Sequence, residues 1–173
     1  LEVARELLAK QGAEASLRYI ARTAGVGFGT LHRHFPTREA LLEALLRTSF
    51  DALTERAKEI EETLSPDEAL LLWLREAVAV AHNYSGAIAS LVAAIEDEAS
   101  ALHGSCVTMR GAGTRLLERA QEQGLAREDI DGADLFALVG ALSWVADQPA
   151  LEPRADHLFD VITSAVLVDK KPS

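Results

Sequence analysis

The sequence predicts an all-α protein of about nine helices. Helix-favouring Ala, Leu, Glu and Arg dominate the 173 residues, and clusters of β-branched residues with a period of two are nearly absent. Apolar residues recur at helical spacing, as Val3, Leu7 and Leu8 do near the amino end. The predicted helices span residues 2–10, 16–23, 28–34, 37–63, 65–83, 87–98, 102–123, 133–146 and 155–168.

Polar capping residues and chain-breaking residues set these bounds. Ser16 and Thr37 each precede a helical run, where a hydroxyl oxygen accepts a hydrogen bond from a backbone N–H group of the first turn. Gly25 and Gly124 follow helical runs and are natural helix ends. Pro36 disfavours helix at the residue before it, so the short third helix must end there.

The net charge of −10 is unevenly distributed along the chain. Residues 1–50 contain seven Lys or Arg and five Glu, whereas residues 51–173 contain ten Lys or Arg and 22 Asp or Glu. A basic segment attached to an acidic body indicates a part of the protein that faces nucleic acid. The basic excess is only two charges, so this asymmetry alone does not decide the function.

Several classes of protein do not fit the composition. The single cysteine, Cys106, excludes an internal disulfide framework and suits the reducing cytoplasm, and no CxxC pair is present to hold zinc. No apolar run approaches the ~20 residues that a membrane span needs. The charged, amphipathic start LEVARELLAKQG is unlike a signal peptide. We therefore expect a cytoplasmic protein without membrane partner, metal or cofactor.

The segment ASLRYIARTAGVGFGTLHRHF has the pattern of a helix-turn-helix. Gly25 occupies the turn, where a left-handed backbone is inexpensive only for glycine. The expected small core consists of Leu17, Ile20, Ala21, Val26, Leu31 and Phe35. The remaining small and polar residues of the second helix would approach phosphates and base edges in a major groove. The residues alone equally fit a plain helical hairpin with solvated histidines.

The longer stretch LLAKQGAEASLRYIARTAGVGFGTLHRHFPTREALLEALL resembles the amino-terminal domain of TetR-type bacterial repressors. The likeness covers about residues 3–46. It rests on an apolar helix and Gly, a hydroxyl residue, Ile-Ala, Ala-Gly-Val, Gly-Thr-Leu and His-Phe, in the family's order and spacing. The resemblance implies a DNA-binding head at residues 1–46 and a ligand-binding and dimerisation body at residues 47–173.

The resemblance also implies a set of DNA contacts. Ser16 matches a hydroxyl that contacts phosphate, Thr30 faces DNA, and Arg38 matches a basic phosphate anchor. Two positions depart from the family pattern, because His32 replaces the usual Tyr and Gly27 replaces the usual Ser. The expected DNA-binding residues are Ser16, Arg18, Gly27, Phe28, Thr30, His32, Arg33, His34 and Arg38.

In this family the last two helices pair with those of a second copy. Here the helices at about 133–146 and 155–168 are the most apolar, and a helix that is apolar nearly all round must be covered. Both could instead be ordinary core, but we favour a homodimer, because a helix-turn-helix normally needs two copies one helical turn apart on DNA. The middle of the body resembles SbtR-like regulators more loosely, through NYSGAIASLV and GAGTRLLERAQEQGLAREDID, and this likeness names no ligand.

An effector pocket is expected among the helices of the body. The candidate ligand-binding residues are Trp73, His82, Tyr84, Met109, Arg110 and Trp144. Each of them also fits core packing or plain surface. His103 and Cys106 are three apart on one helix face, but no third metal ligand accompanies them. The acidic residues at 96–98 fit a solvated helix end better than a general base.

The sequence therefore predicts a homodimeric transcriptional repressor, not an enzyme, that a small-molecule effector releases from its double-stranded DNA operator. One alternative is a helical small-molecule-binding protein or enzyme with a vestigial head. Salt-dependent duplex binding separates these two, because only a DNA binder releases counterions steeply. A second alternative is an activator or a DNA-bridging protein, which a transcription assay with and without the protein distinguishes.

Overall fold

The computed structural model describes residues 3–4 and 16–168, apart from the side chains of residues 86, 87, 89 and 90. These residues form eight α-helices, a 3₁₀ turn at Glu152–Arg154 and one isolated bridge between Ala126 and Leu167, so the all-α prediction is confirmed. No described helix is both long and apolar enough to cross a bilayer. The helices are α1 (Leu17–Thr23), α2 (Phe28–His34), α3 (Arg38–Thr63), α4 (Pro66–Asn83), α5 (Ser85–Glu96), α6 (Ala101–Glu122), α7 (Gly132–Asp147) and α8 (Ala155–Val166).

Several helices begin at the capping residues, or end at the glycines, that the sequence predicts. The Ser16 hydroxyl accepts a backbone N–H of α1 at 3.2 Å, and the Thr37 hydroxyl accepts one of α3 at 3.1 Å. Gly25 has a φ of +68° just after α1, and Gly124 has a φ of +67° just after α6. A residue with a Cβ would be strained at either place, which explains why these helices end at glycine.

Two predicted helices differ from the structure by two residues at one or both ends, and the first predicted helix is not described. The helix expected at 2–10 lies outside the described residues, except for residues 3–4. Helix α5 starts at Ser85 and ends at Glu96, two residues earlier than expected at each end, and the Asp97 carboxylate then accepts the N–H of Ala99 at 3.0 Å. Helix α8 ends at Val166 rather than 168, because the chain there turns to bond with the segment after α6.

Two hydrophobic cores share the long helix α3. The head core contains Ile20 of α1, the α3 residues Leu41, Leu42, Leu45 and Leu46, and Tyr84, Leu91 and Leu102 from further along the chain. The body core joins the second half of α3 to α4, α6, α7 and α8 around Trp73. Phe50 and Val80 pack against both cores. The boundary expected between residues 46 and 47 falls inside α3 and stays a prediction.

Candidate nucleic-acid interface

Helices α1 and α2 form the helix-turn-helix from local interactions. Ile20 and Ala21 are buried on α1, while Leu31 is half-buried on α2. The N–H of Val26 donates to the Ala21 carbonyl at 3.0 Å and closes the turn. The Val26 side chain, expected in the small core, is instead 41% exposed. This expectation was wrong because the turn bond fixes the Val26 backbone and leaves its side chain facing outward.

The expected contact residues form one exposed, basic and acid-free stretch. Between residues 16 and 38 the chain contains four arginines and no Asp or Glu, in a protein whose net charge is −10. Such a local positive field attracts polyanions and steers them to one surface. The exposed members of the expected set are Ser16, Arg18, Gly27, Phe28, Thr30, His32, Arg33 and His34. Arg38, the ninth, is half-buried.

Phe28, the first residue of α2, exposes an apolar ring on this polar surface. It is 37% exposed and stacks on the His32 ring, with centroids 5.6 Å apart and an interplanar angle of 20°. The Arg18 guanidinium lies 4.8 Å from the Phe28 centroid. Gly27 and Gly29 flank the ring, and a Cβ built at Gly29 meets nothing within 4 Å. The ring is therefore fixed by cation–π and stacking contacts, with open space beside it.

Arg38 begins α3 and has unsatisfied hydrogen-bonding capacity. Its Nε and Nη2 atoms are buried, and no described residue accepts a hydrogen bond from them. The residue also places a cation at the positive end of a 26-residue helix, an unfavourable position unless an anion is present. An anion held near this helix terminus would offset the cost of placing a cation there.

The structure does not bring the six expected effector residues together. Trp73 is fully buried, where its Nε1–H donates to the Leu53 carbonyl at 2.9 Å. The buried Tyr84 pairs its hydroxyl with that of Ser49 at 3.2 Å, within the head core. Trp144 is 57% exposed and lines none of the described cavities. Trp73 and Tyr84 therefore act in packing, since long-range contacts that the sequence does not reveal enclose them.

The remaining three residues lie in different places. His82 is exposed and its Nδ1 lies 2.7 Å from an Asp147 oxygen, beside a surface cavity of about 180 Å³. Arg110 is exposed with its guanidinium 5.0 Å from the Phe136 ring centroid. Only Met109 lines the apolar cavity described next.

An apolar cavity of about 180 Å³ lies between α3, α4, α5, α6 and α7. Its lining contains no charged or hydrogen-bonding side chain among the described residues. Apart from Met109, none of these residues was predicted from the sequence, because aliphatic and phenylalanine side chains carry no signal that distinguishes a cavity wall from core. The lining residues are Leu46, Phe50, Leu53, Ala77, Val80, Ala81, Ile88, Met109, Phe136, Val139 and Gly140.

His103 and Cys106, which the sequence offered as a possible metal pair, lie in ordinary structural surroundings. His103 places Nδ1 2.7 Å from the Ile95 carbonyl and so bonds the last turn of α5. Burial raises the pKa of the Cys106 thiol, which lowers the fraction of reactive thiolate. Within the described part of the chain, no three His, Cys, Asp or Glu side chains are grouped to hold a metal ion.

Helices α7 and α8 each expose one large apolar side chain. Trp144 is 57% exposed and Val161 is 48% exposed. Leu142 and Phe159, on the same two helices, are buried in the body core of the same chain. The exposed side of α7 is otherwise mostly small residues, whereas that of α8 also contains Asp, His and Ser.

Comparison with known proteins gives concordant matches for the two parts of the chain. A family model described as bacterial regulatory proteins, tetR family, matches residues 1–45. A second, described as transcriptional regulator SbtR-like, C-terminal domain, matches residues 65–166, which is more than half of the chain. Both matches agree with the resemblance drawn from the residues.

Individual relatives point in the same direction. The HTH-type transcriptional repressor KstR2 of Rhodococcus jostii is 29% identical over 155 residues, covering 84% of this chain and 75% of the relative. The TetR regulator SCO0520 of Streptomyces coelicolor has 31% identity and a TM-score of 0.77, covering 98% of this chain and 97% of its own. A TetR regulator of Mycobacterium vanbaalenii has 30% identity and a TM-score of 0.70, with coverages of 96% and 92%. The chain therefore belongs to the TetR family and is a DNA-binding transcriptional regulator.

Proposed function

We propose that this protein is a homodimeric repressor that binds a double-stranded DNA operator through residues 16–38 and leaves it when a small effector binds the body. The observation that carries the proposal is the exposed, acid-free helix-turn-helix on an acidic chain. Repression is also the activity that the name of KstR2 states for that relative.

Five of the nine expected contact residues divide into two roles. The hydroxyl of Ser16 and the guanidinium of Arg38 flank the two short helices and would bind phosphates, which fixes the head on the duplex. Helix α2 would enter the major groove, where Phe28, Thr30 and His32 at its exposed side meet base edges. The glycines beside Phe28 let the backbone approach the duplex closely.

Dimerisation would occur through α7 and α8. Two copies of the face around Trp144 and Val161 bury each other's apolar surface in a two-fold arrangement. A dimer also places two reading helices on one side of the duplex, as half-sites about 34–36 Å apart require. The gain in affinity from two linked heads explains why such regulators act as pairs.

The effector would act by favouring a dimer whose heads have the wrong spacing. It shifts this equilibrium only by its difference in affinity for the two arrangements. Helix α3 runs unbroken from the head core to the body core and would transmit the change. In this proposal the protein acts in the cytoplasm, catalyses no reaction, and uses no metal or cofactor.

The proposal is tested by duplex binding as a function of salt. The operator is first obtained by selecting bound fragments of genomic DNA, and affinity is measured by fluorescence anisotropy at several salt concentrations. We expect Arg38→Ala to weaken binding to all sequences and to lower the salt slope by about one unit.

The matched control is Lys58→Ala, which removes the same charge from an exposed position of α3 outside the head. It should leave the slope unchanged. A parent chain with no salt-dependent duplex binding would instead indicate a small-molecule-binding protein with a vestigial head. Transcription that rises when the protein is added would indicate an activator.

A further inference from the structure

We infer that the apolar cavity between α3 and α7 binds compact, uncharged, apolar molecules and that these are the effector class. The inference rests on the proposed function only in calling the bound molecule an effector. Binding of an apolar molecule in this cavity does not depend on that function. It differs from the expectation drawn from the sequence, in which a ligand is oriented by His82, Tyr84 or Arg110.

The size of the cavity sets the size of the ligand. The cavity has a volume of about 180 Å³ and is partly open to solvent. An apolar cavity of about 150 Å³ takes up benzene, so this one suits roughly seven to ten non-hydrogen atoms. A ligand there gains dispersion contacts with the apolar walls.

The lining of the cavity sets the chemistry of the ligand. None of its described residues offers a charge, hydroxyl or amide, so an ionised group would lose its hydration without gaining a partner. Arg110, whose guanidinium lies over the Phe136 ring, is exposed and does not line the cavity. A carboxylate on the ligand therefore finds no counter-ion among the described lining residues, and an uncharged hydrocarbon is favoured.

The cavity also lies where the two cores meet. Phe50 and Val80 line it and pack against both the head core and the body core. Leu46, another lining residue, is itself a buried member of the head core. Filling the cavity therefore presses on side chains that hold α3 against the head, which gives the ligand a direct route to the reading helix.

The site is tested with the full chain in the absence of DNA. Butylbenzene and phenylacetate each carry one phenyl ring and the same number of non-hydrogen atoms, but only phenylacetate is charged. Their binding is measured by isothermal titration calorimetry. We expect one butylbenzene per chain and at least tenfold weaker binding of phenylacetate. Equal or tighter binding of the carboxylate, or no binding of butylbenzene, would overturn the inference.

Two neighbouring alanines of α4 provide a matched pair of variants. Ala81 is half-buried and lines the cavity, whereas Ala79 is exposed and does not. Ala81→Leu should weaken butylbenzene binding at least tenfold, and Ala79→Leu should change it less than twofold. Unchanged binding by Ala81→Leu would place the ligand elsewhere and so overturn the inference.

A second filling variant keeps the test decisive if Ala81→Leu does not fold. A Cβ built at Gly140 meets nothing within 4 Å, so Gly140→Val adds its methyl groups without a backbone clash. It should weaken butylbenzene binding at least fivefold. Because these titrations contain no DNA, a failure of duplex binding counts against the proposed repressor alone, and a failure of hydrocarbon binding counts against this inference alone.

Discussion

Gly113 of α6 gives a quantitative test of how the body core is packed. A Cβ built at Gly113 lies 2.5 and 2.6 Å from two ring atoms of Trp73 and 3.1 Å from the Phe136 ring. Trp73 is 0% exposed and its Nε1–H is bonded to the Leu53 carbonyl, so the ring has no room to retreat. Gly113→Ala therefore forces the ring out of place.

The same substitution at Gly111 is a matched control. Gly111 lies on the same helix, is exposed, and meets nothing within 4 Å of its added Cβ. Alanine is favoured over glycine in a helix by about 1 kcal/mol, so Gly111→Ala should stabilise the protein by that amount. Both variants gain this helix preference, and their difference isolates the cost of the clash.

The expected difference follows from two terms. Overpacking a core typically costs about 1–3 kcal/mol. Weakening the Trp73 hydrogen bond adds about 1 kcal/mol. Gly113→Ala should therefore have a free energy of unfolding about 2–4 kcal/mol below that of Gly111→Ala, roughly 4–16 °C in melting temperature for a chain of this size.

Urea unfolding followed by circular dichroism measures this difference. All samples must have one protein concentration, because dimerisation couples stability to concentration. The tryptophan emission of folded Gly113→Ala should also differ from that of the parent chain. Equal stability of the two alanine variants would refute the described contact of α6 with the Trp73 ring.

Three further predictions concern exposed or reactive residues. Trp144→Glu and Val161→Glu should each give folded monomers in analytical ultracentrifugation at micromolar concentration, because both side chains are exposed within one chain; a monomeric parent chain would contradict the proposed interface. Phe28→Ala should weaken operator binding about tenfold in fluorescence anisotropy, while its free energy of unfolding stays within ~0.5 kcal/mol of the parent. Unchanged affinity would show that the Phe28 ring does not contact DNA. Since burial raises the pKa of the Cys106 thiol, iodoacetamide should alkylate it more slowly in the folded chain than in the unfolded chain at neutral pH. Mass spectrometry measures both rates, and faster alkylation of the folded chain would contradict the prediction.

The sequence determined the helices and the exposed, basic surface of residues 16–38, because both depend on short-range interactions. Ser16 and Thr37 cap helices through hydrogen bonds to residues three positions later. Gly25 ends α1 through its own backbone conformation. The exposed residues of this surface are neighbours in sequence, so a local pattern sufficed to predict that they are exposed together. Their contact with DNA stays a prediction.

Only the tertiary structure decided which side chains face the core, a cavity or solvent. Trp73 and Trp144 carry the same ring on apolar helices, yet the first is fully buried and the second is 57% exposed. The apolar cavity collects residues from Leu46 to Gly140 on five helices, and each looks like ordinary core in the sequence. Burial depends on how the helices pack across long separations, and the helical period fixes only which residues share a face.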